Sequence, residues 1–157
     1  LDLYCGNGLL GLSIADKVES ITGIEQVEQA IEEGWINAEM NQISNYEFIQ
    51  GDAGKVLYQI APQRHFDLAI VDPPRAGLQD KAMHHFLTAS PDAIVYISCQ
   101  PKSLGRDLAT LRERGYRVRS IKMLDMFPNT YHMETITVLE KNSKTSVSNK
   151  SSQKEAV

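Results

Sequence analysis

Cys99 ends the apolar run Ala93–Ser98 and is followed at once by Gln100-Pro101. A cysteine at the exposed end of a buried strand, just before a helix, is a candidate nucleophile, because a helix N-terminus favours the thiolate. The same residue could also be a small apolar packing group. Glu134 stands where a loop carrying Phe127, Tyr131 and His132 meets another apolar run. Its carboxylate is a candidate general base at a strand end, with His132 able to orient it or to contact a substrate; a solvated edge-strand glutamate is the plain alternative. Asp72-Pro73-Pro74-Arg75 ends a third apolar run. Proline fixes its own φ and restricts the residue before it, so Asp72 is held in one orientation. Arg75 follows as a substrate contact or a solvated surface arginine.

A second group of residues could hold a nucleotide-like cofactor. Gly6, Gly8 and Gly11 match G-x-G-x-x-G after an apolar start. Glycines let a backbone turn tightly and let a ligand approach closely. Glu25 ends the next apolar segment, where a carboxylate can accept both hydroxyls of a ribose. Asp52 ends the one after, placed to bond an adenine amino group or a nearby backbone donor. The glycine spacing alone fits a nicotinamide dinucleotide, another nucleoside cofactor or a plain strand–helix turn. The rigid acidic-proline corner at Asp72 is something a dehydrogenase does not need. Cys5, within the first strand and turn, reads as structural.

These residues fall at the ends of alternating elements. Apolar spacing predicts helices over 8–17, 27–40, 53–60, 79–88 and 103–114. Strands are expected at the start of the chain and over 20–24, 46–49, 67–71, 93–98, 116–124 and 135–140. Gly115 is in place to end the last helix. Short Val/Ile-rich strands alternating with helices mean an α/β domain with a mostly parallel sheet. Seven strands are expected. The last two are joined by a loop without a helix, which predicts an antiparallel final pair. His65, His84 and His85 read as surface residues.

The composition sets bounds. The chain has 157 residues, enough for one domain with a core of its own. Two cysteines exclude a four-cysteine metal site, and a reduced cytoplasmic setting is expected. No metal-ligand spacing appears, and no apolar run approaches the ~20 residues of a membrane span. Residues 141–157 hold four Lys and one Glu, leaving 12 Lys+Arg against 19 Asp+Glu in 1–140. The Ser/Lys-rich segment 141–157 is expected to be disordered. The acidic body 1–140 needs help to hold a polyanion. The apolar start without an initiator Met leads to the expectation that residue 1 lies inside an element of a longer protein.

The segments LDLYCGNG, GIE, GDA, VDPPRAGL, YISCQP and DMFPNTYHME resemble, in order, those of the RNA (uracil-5-)-methyltransferase family, which makes 5-methyluridine in tRNA and 23S rRNA. The resemblance spans residues 1–134. It implies a Rossmann-like class I methyltransferase fold over 1–140, truncated at its N-terminal side, and S-adenosylmethionine as cofactor. It implies Cys99 as the nucleophile that adds to C6 of uracil and Glu134 as the base that takes the C5 proton. Tyr4, Leu9, Glu25 and Asp52 match positions lining the cofactor, with Gly6 and Gly8 shaping its turn and Asp72 at the cofactor–uracil junction. Arg75, Phe127 and His132 are the candidate substrate contacts. Gln100 departs from the family's Asn. RNA, gripped mainly by upstream parts that family members carry, is the implied partner of a monomeric, non-membrane enzyme. Two alternatives stand beside this: an amino-methyltransferase of nucleic acid, disfavoured by Arg75 where an aromatic would stack on the base, and a fragment that only binds S-adenosylmethionine.

Overall fold

The computed structural model describes residues 1–126, 128–130 and 133–142. The expectations placed on Phe127, Tyr131, His132 and the tail beyond Asn142 lie outside the described residues. Along the chain come β1 (Asp2–Leu3), α1 (Leu9–Leu12), a 3-10 turn (Ala15–Lys17), β2 (Ile21–Glu25) and α2 (Glu28–Met40). There follow β3 (Tyr46–Gln50), α3 (Ala53–Ile60), β4 (Leu68–Val71) and α4 (Asp80–Ala89). The chain closes with β5 (Ala93–Ser98), α5 (Pro101–Glu113), β6 (Tyr116–Leu124) and β7 (Glu134–Lys141). No helix among the described residues is long and apolar enough to cross a membrane.

The seven strands form one sheet in the order β3-β2-β1-β4-β5-β7-β6. From β3 to β5 every neighbouring pair is parallel. β7 is antiparallel to both its neighbours. The expected mostly parallel α/β sheet with an antiparallel last strand is therefore present, with β7 inserted between β5 and β6. The strand order reverses between β1 and β4, and a crevice opens beyond their carboxyl ends, the usual ligand position in such sheets.

The predicted helix 8–17 is broken. Gly8 offers no side-chain cap, and Gly11 weakens the interior. The Ser13 hydroxyl donates to the Leu10 carbonyl, and Ile14 N–H bonds back only three residues, to Gly11. The turn tightens into 3-10 geometry instead of propagating. By contrast, α5 starts two residues earlier than predicted, because Pro101 sits in its first turn, where no backbone N–H is needed. Apolar side chains form two clusters. One holds Leu3, Ile24, Leu57, Phe86, Tyr96, Leu104 and Leu111. The other holds Cys5, Ile21, Ile31, Tyr46 and Phe48, with the Tyr46 and Phe48 rings stacked at 4.0 Å.

Asp2 is buried at the start of the sheet. Its Oδ2 accepts from Gly11 N–H at 3.0 Å and from the Tyr46 hydroxyl at 2.7 Å, and Oδ1 has no partner among the described residues. Burial pushes this carboxyl above its ordinary range despite both bonds. A raised folded-state pKa means the native state holds the proton more tightly than the unfolded chain does. The stability from Asp2 is thus complete below the ordinary carboxylate pKa near ~4 and is lost as pH rises through the raised value. Urea unfolding of the parent and Asp2→Asn from pH 4 to 8 should show the parent losing stability relative to the variant as pH rises, by about 1.4 kcal/mol per unit of elevation. Parallel curves would refute this.

Candidate active site

The glycine turn is bound on both sides by carboxylates. Glu25, the last residue of β2, accepts Gly6 N–H on Oε2 at 3.1 Å. Its Oε1 accepts Gln26 N–H at 2.8 Å and Val27 N–H at 2.9 Å. Three of its roughly four lone-pair positions are thus occupied by backbone donors. Glu25 braces the turn as well as facing the crevice, a role its sequence position did not show. Gly8 has φ +80°, and a Cβ there would meet the Phe48 ring at 2.7 Å, so both conformation and space demand glycine. At Gly6, φ +52°, a Cβ would meet nothing within 4 Å, which leaves the turn open to a ligand.

The crevice has a volume of about 1010 Å³ and is lined by Tyr4, Glu25, Val27, Asp52, Asp72 and Pro74, among others. Tyr4 holds the left-handed φ of 63°, and burial plus the charges of Asp52, Asp107 and Glu25 push its phenol up to about 12. Asp52 caps α3, its Oδ1 accepting Lys55 N–H at 3.0 Å, which is the backbone-donor option of the sequence reading. Leu9 does not line the crevice; it is 72% exposed at the start of α1. Sequence reasoning missed Val27, an exposed apolar residue at the crevice wall, and Lys55, Gln79 and Lys81 on α3 and before or within α4. Their signal was position: each follows a strand end or opens a helix.

The neighbouring corner gathers the other candidates. β5 and β7 pair from Ala93–Glu140 to Ser98–Thr135. Cys99 directly follows Ser98, and Glu134 directly precedes Thr135, so both adjoin that last row. Thr135 Oγ1 donates to the Ser98 carbonyl at 2.9 Å, and Ser98 Oγ accepts Gln100 N–H at 3.1 Å, so the turn at Cys99 is fixed on both sides. Gln100 serves here through its backbone, and its side chain gives α5 no cap. Asp72 N–H bonds the Leu3 carbonyl at 3.2 Å, which seats Asp72 at the β1–β4 switch. Burial and the negative charge of Glu134 raise its pKa. Asp72, Cys99 and Glu134 thus belong to one end of the sheet, beside the crevice. Arg75 is exposed beyond that corner.

Elsewhere the histidines divide. His65 and His84 are exposed as expected. His85 is half-buried, edge-on to Tyr58 at 5.2 Å, because α4 turns it toward α3. His65, Asp67 and Asp92 come together at the starts of β4 and β5, with ligand-type atoms within 4.8 Å of one another. No sequence spacing showed that cluster. It is exposed, forms ion pairs of 3.3 and 3.8 Å when His65 is protonated, and lies at the other end of the sheet from the crevice.

The two cysteines differ in accessibility. Cys5 is buried, and burial pushes its thiol up to about 12. Cys99 is half-buried. Iodoacetamide at pH 8, followed by peptide mass mapping, should alkylate Cys99 at least about ten times faster than Cys5. Equal rates in the folded protein would contradict the placement of Cys5 in the core.

Comparison with known proteins agrees with this geometry. The family described as tRNA (uracil-5-)-methyltransferase matches residues 1–142. An uncharacterized RNA methyltransferase of Caldanaerobacter subterraneus is 42% identical over 140 residues, 89% of this chain and 31% of that protein. One from Clostridium acetobutylicum is 44% identical over 140 residues, 89% of this chain and 30% of its own length. The chain therefore spans about a third of these relatives. The Pyrococcus abyssi tRNA (uracil-54, C5)-methyltransferase, solved with S-adenosyl-L-homocysteine, superposes with a TM-score of 0.77 at 36% identity, covering 88% of this chain and 33% of that one. An rRNA methylase from Streptococcus thermophilus shares the fold, with a TM-score of 0.71 at 14% identity over 90% of this chain and 86% of its own. With the family match covering residues 1–142 and the sheet with its crevice at the β1–β4 switch in accord, this chain belongs to the tRNA (uracil-5-)-methyltransferase family.

Proposed function

We propose that residues 1–140 are the catalytic domain of an enzyme that methylates C5 of a uridine in RNA, using S-adenosylmethionine and a covalent Cys99–uracil adduct. The observation that carries this reading is the register of β7 on β5, whose last pair, Ser98–Thr135, is adjoined by Cys99 on one strand and Glu134 on the other. The pair unites the two groups the reaction demands, a thiol nucleophile and a carboxylate base.

The crevice fits the cofactor's chemistry. At about 1010 Å³ it lies at the upper end of small-molecule sites. Val27, 58% exposed, offers an apolar wall to an adenine ring. Glu25 and Asp52 supply acceptors for hydroxyl and amino groups, and open space at Gly6 lets a chain pass the turn. Asp72 and Pro74 border the end toward Cys99. S-adenosylmethionine, when bound, supplies an electrophilic methyl group to C5.

The chain's own residues do the rest. C5 of uracil is a poor nucleophile. Addition of the Cys99 thiolate to C6 pushes the ring electrons into an enolate and makes C5 electron-rich. Once C5 carries the methyl group, Glu134 takes the remaining C5 proton. The electron pair of that C–H bond re-forms the C5–C6 double bond and expels the Cys99 thiolate. The uridine must leave its stack to reach this corner. Stiffened Asp72 and exposed Arg75 are placed to meet it, with Phe127 and His132 as further contacts. Since the described relatives are about three times longer and the body 1–140 is acidic, RNA affinity comes mainly from parts outside this chain. tRNA is favoured over rRNA by the 36%-identical Pyrococcus abyssi protein. A monomeric, cytoplasmic protein completes the reading.

The test is a covalent trap. Fluorine at C5 of 5-fluorouridine cannot leave as a proton. The full-length protein with S-adenosylmethionine and 5-fluorouridine RNA should give a denaturation-stable adduct that maps to Cys99 by mass. Cys99→Ala should give none. An adduct-free full-length protein that still binds the cofactor would overturn the uracil reading and favour amino-methylation. On ordinary RNA, Glu134→Gln should turn over about 10²–10⁴-fold more slowly while methylated RNA accumulates covalently bound. Wild-type turnover by that variant would exclude Glu134 as the base.

A further inference from the structure

The loop that carries Asp72 and Arg75 is held at several points. Within it Gly77 N–H bonds the Pro74 carbonyl at 2.8 Å, and at its start Asp72 N–H bonds the Leu3 carbonyl. Further grip comes from α5, the helix that starts just behind Cys99. Ser103, buried on its first turns, donates its hydroxyl to the Arg75 carbonyl at 2.8 Å, sharing it with Gln100 at 3.1 Å. Arg106 Nη2 donates to the Ala76 carbonyl at 2.7 Å and reaches the Leu78 carbonyl at 3.3 Å. Asp107, 1% exposed, accepts Leu78 N–H on Oδ2 at 2.8 Å and both Nε and Nη2 of Arg106 on Oδ1. The same Oδ2 accepts the hydroxyl of Tyr96, fully buried on β5 and close before Cys99. Gly77 marks how tightly the parts fit: at φ +76°, a Cβ there would lie 2.4 Å from Asp107 Oδ2 and 2.8 Å from Arg106 Nη2.

We infer that Ser103, Arg106 and Asp107 form a positioning clamp that sets the Asp72–Arg75 corner against the Cys99 turn. None of the three lines the crevice. It joins three carriers of the site: β5 with Cys99 at its end, α5 behind it, and the loop after β4. Misplacement by about 1 Å at a reacting centre can lower a rate ~100-fold, and an unclamped loop has that freedom. The inference rests on the uridine-methylation reading, in which Asp72 and Arg75 meet the substrate.

The experiment compares Ser103→Ala, Ser103→Thr and Arg106→Lys in the full-length protein. Thr keeps the hydroxyl, whereas Lys keeps the charge but lacks the fork that reaches loop and Asp107 together. Three readouts are taken: affinity for S-adenosylhomocysteine, steady-state kcat and KM on RNA, and the rate of adduct formation with 5-fluorouridine RNA. Expected are S-adenosylhomocysteine affinities within two-fold of the parent, and a fall of at least ten-fold in kcat and adduct rate for Ser103→Ala and Arg106→Lys with KM little changed. Ser103→Thr should recover most of the rate. Amide hydrogen exchange over residues 75–78 should quicken in the two slow variants. Adduct rates within two-fold of the parent in both, or a rate loss matched by lost cofactor affinity, would overturn the clamp. No adduct from the unsubstituted protein would instead overturn the uridine reading and the clamp's catalytic role together.

Discussion

Six residue pairs join β5 to β7, from Ala93–Glu140 at one end to Ser98–Thr135 at the other. The candidate chemistry depends on that antiparallel pairing. A parallel strand between β5 and β6 would have started at the opposite end of the sheet and carried Glu134 away from Cys99. Antiparallel insertion reverses this, and the first residue of the last strand arrives beside the residue just past the end of the fifth. Because a strand's side chains alternate with a period of two, a slip of one residue would turn the buried face of β7, Thr135, Thr137 and Leu139, toward the wrong side. Burial of that face therefore fixes the register, and the register fixes the pair. Thr135, buried and bonded to the Ser98 carbonyl, locks the last row.

The acidity of the body has a structural side. Glu25, Asp52 and Asp107 all accept backbone N–H groups, at Gly6, Lys55 and Leu78 respectively. Hydrogen bonds to an ionised acceptor are stronger than neutral ones. The chain uses them where the backbone has most freedom to lose, at the glycine turn and at the loops after β3 and β4. Part of its excess negative charge is thus committed to shaping the crevice and the corner beside it. The arrangement leaves the body 1–140 with 12 Lys+Arg against 19 Asp+Glu.

Two classes of feature were legible from the residues. Strand–helix alternation gave the α/β sheet, and three elements, at Ala53–Ile60, Ala93–Ser98 and Tyr116–Leu124, have the limits that apolar spacing and Gly or Pro punctuation indicate. The segment 8–17 was not legible as a broken helix. Its apolar spacing is helical, and only the competing bonds of Ser13 and Ile14 inside the folded turn defeat propagation. At the site, Cys99, Glu134 and Asp72 announced themselves by sitting at ends of apolar runs. Val27 did not, since one exposed valine among charged residues is ordinary until a crevice forms beside it. Leu9 matched a cofactor position in the family resemblance and stands 72% exposed at the start of α1, outside the crevice lining.

By itself the sequence determined the inventory: which residues can act as thiol, base and acceptor, and on which kind of element each sits. Local chemistry suffices for that, through hydrophobic period, proline restriction and glycine freedom. Tertiary structure decided the distances between them. The order β3-β2-β1-β4-β5-β7-β6 brings Glu25, Asp52 and Asp72 around one crevice and brings the start of β7, Glu134, to the end of β5 that Cys99 follows. It also turned Glu25 into a brace for the glycine turn and Asp107 into the joint between helix, strand and loop. Such partnerships link residues up to tens of positions apart, and they arise only when packing of the core selects one register and one strand order from the many that local preference allows.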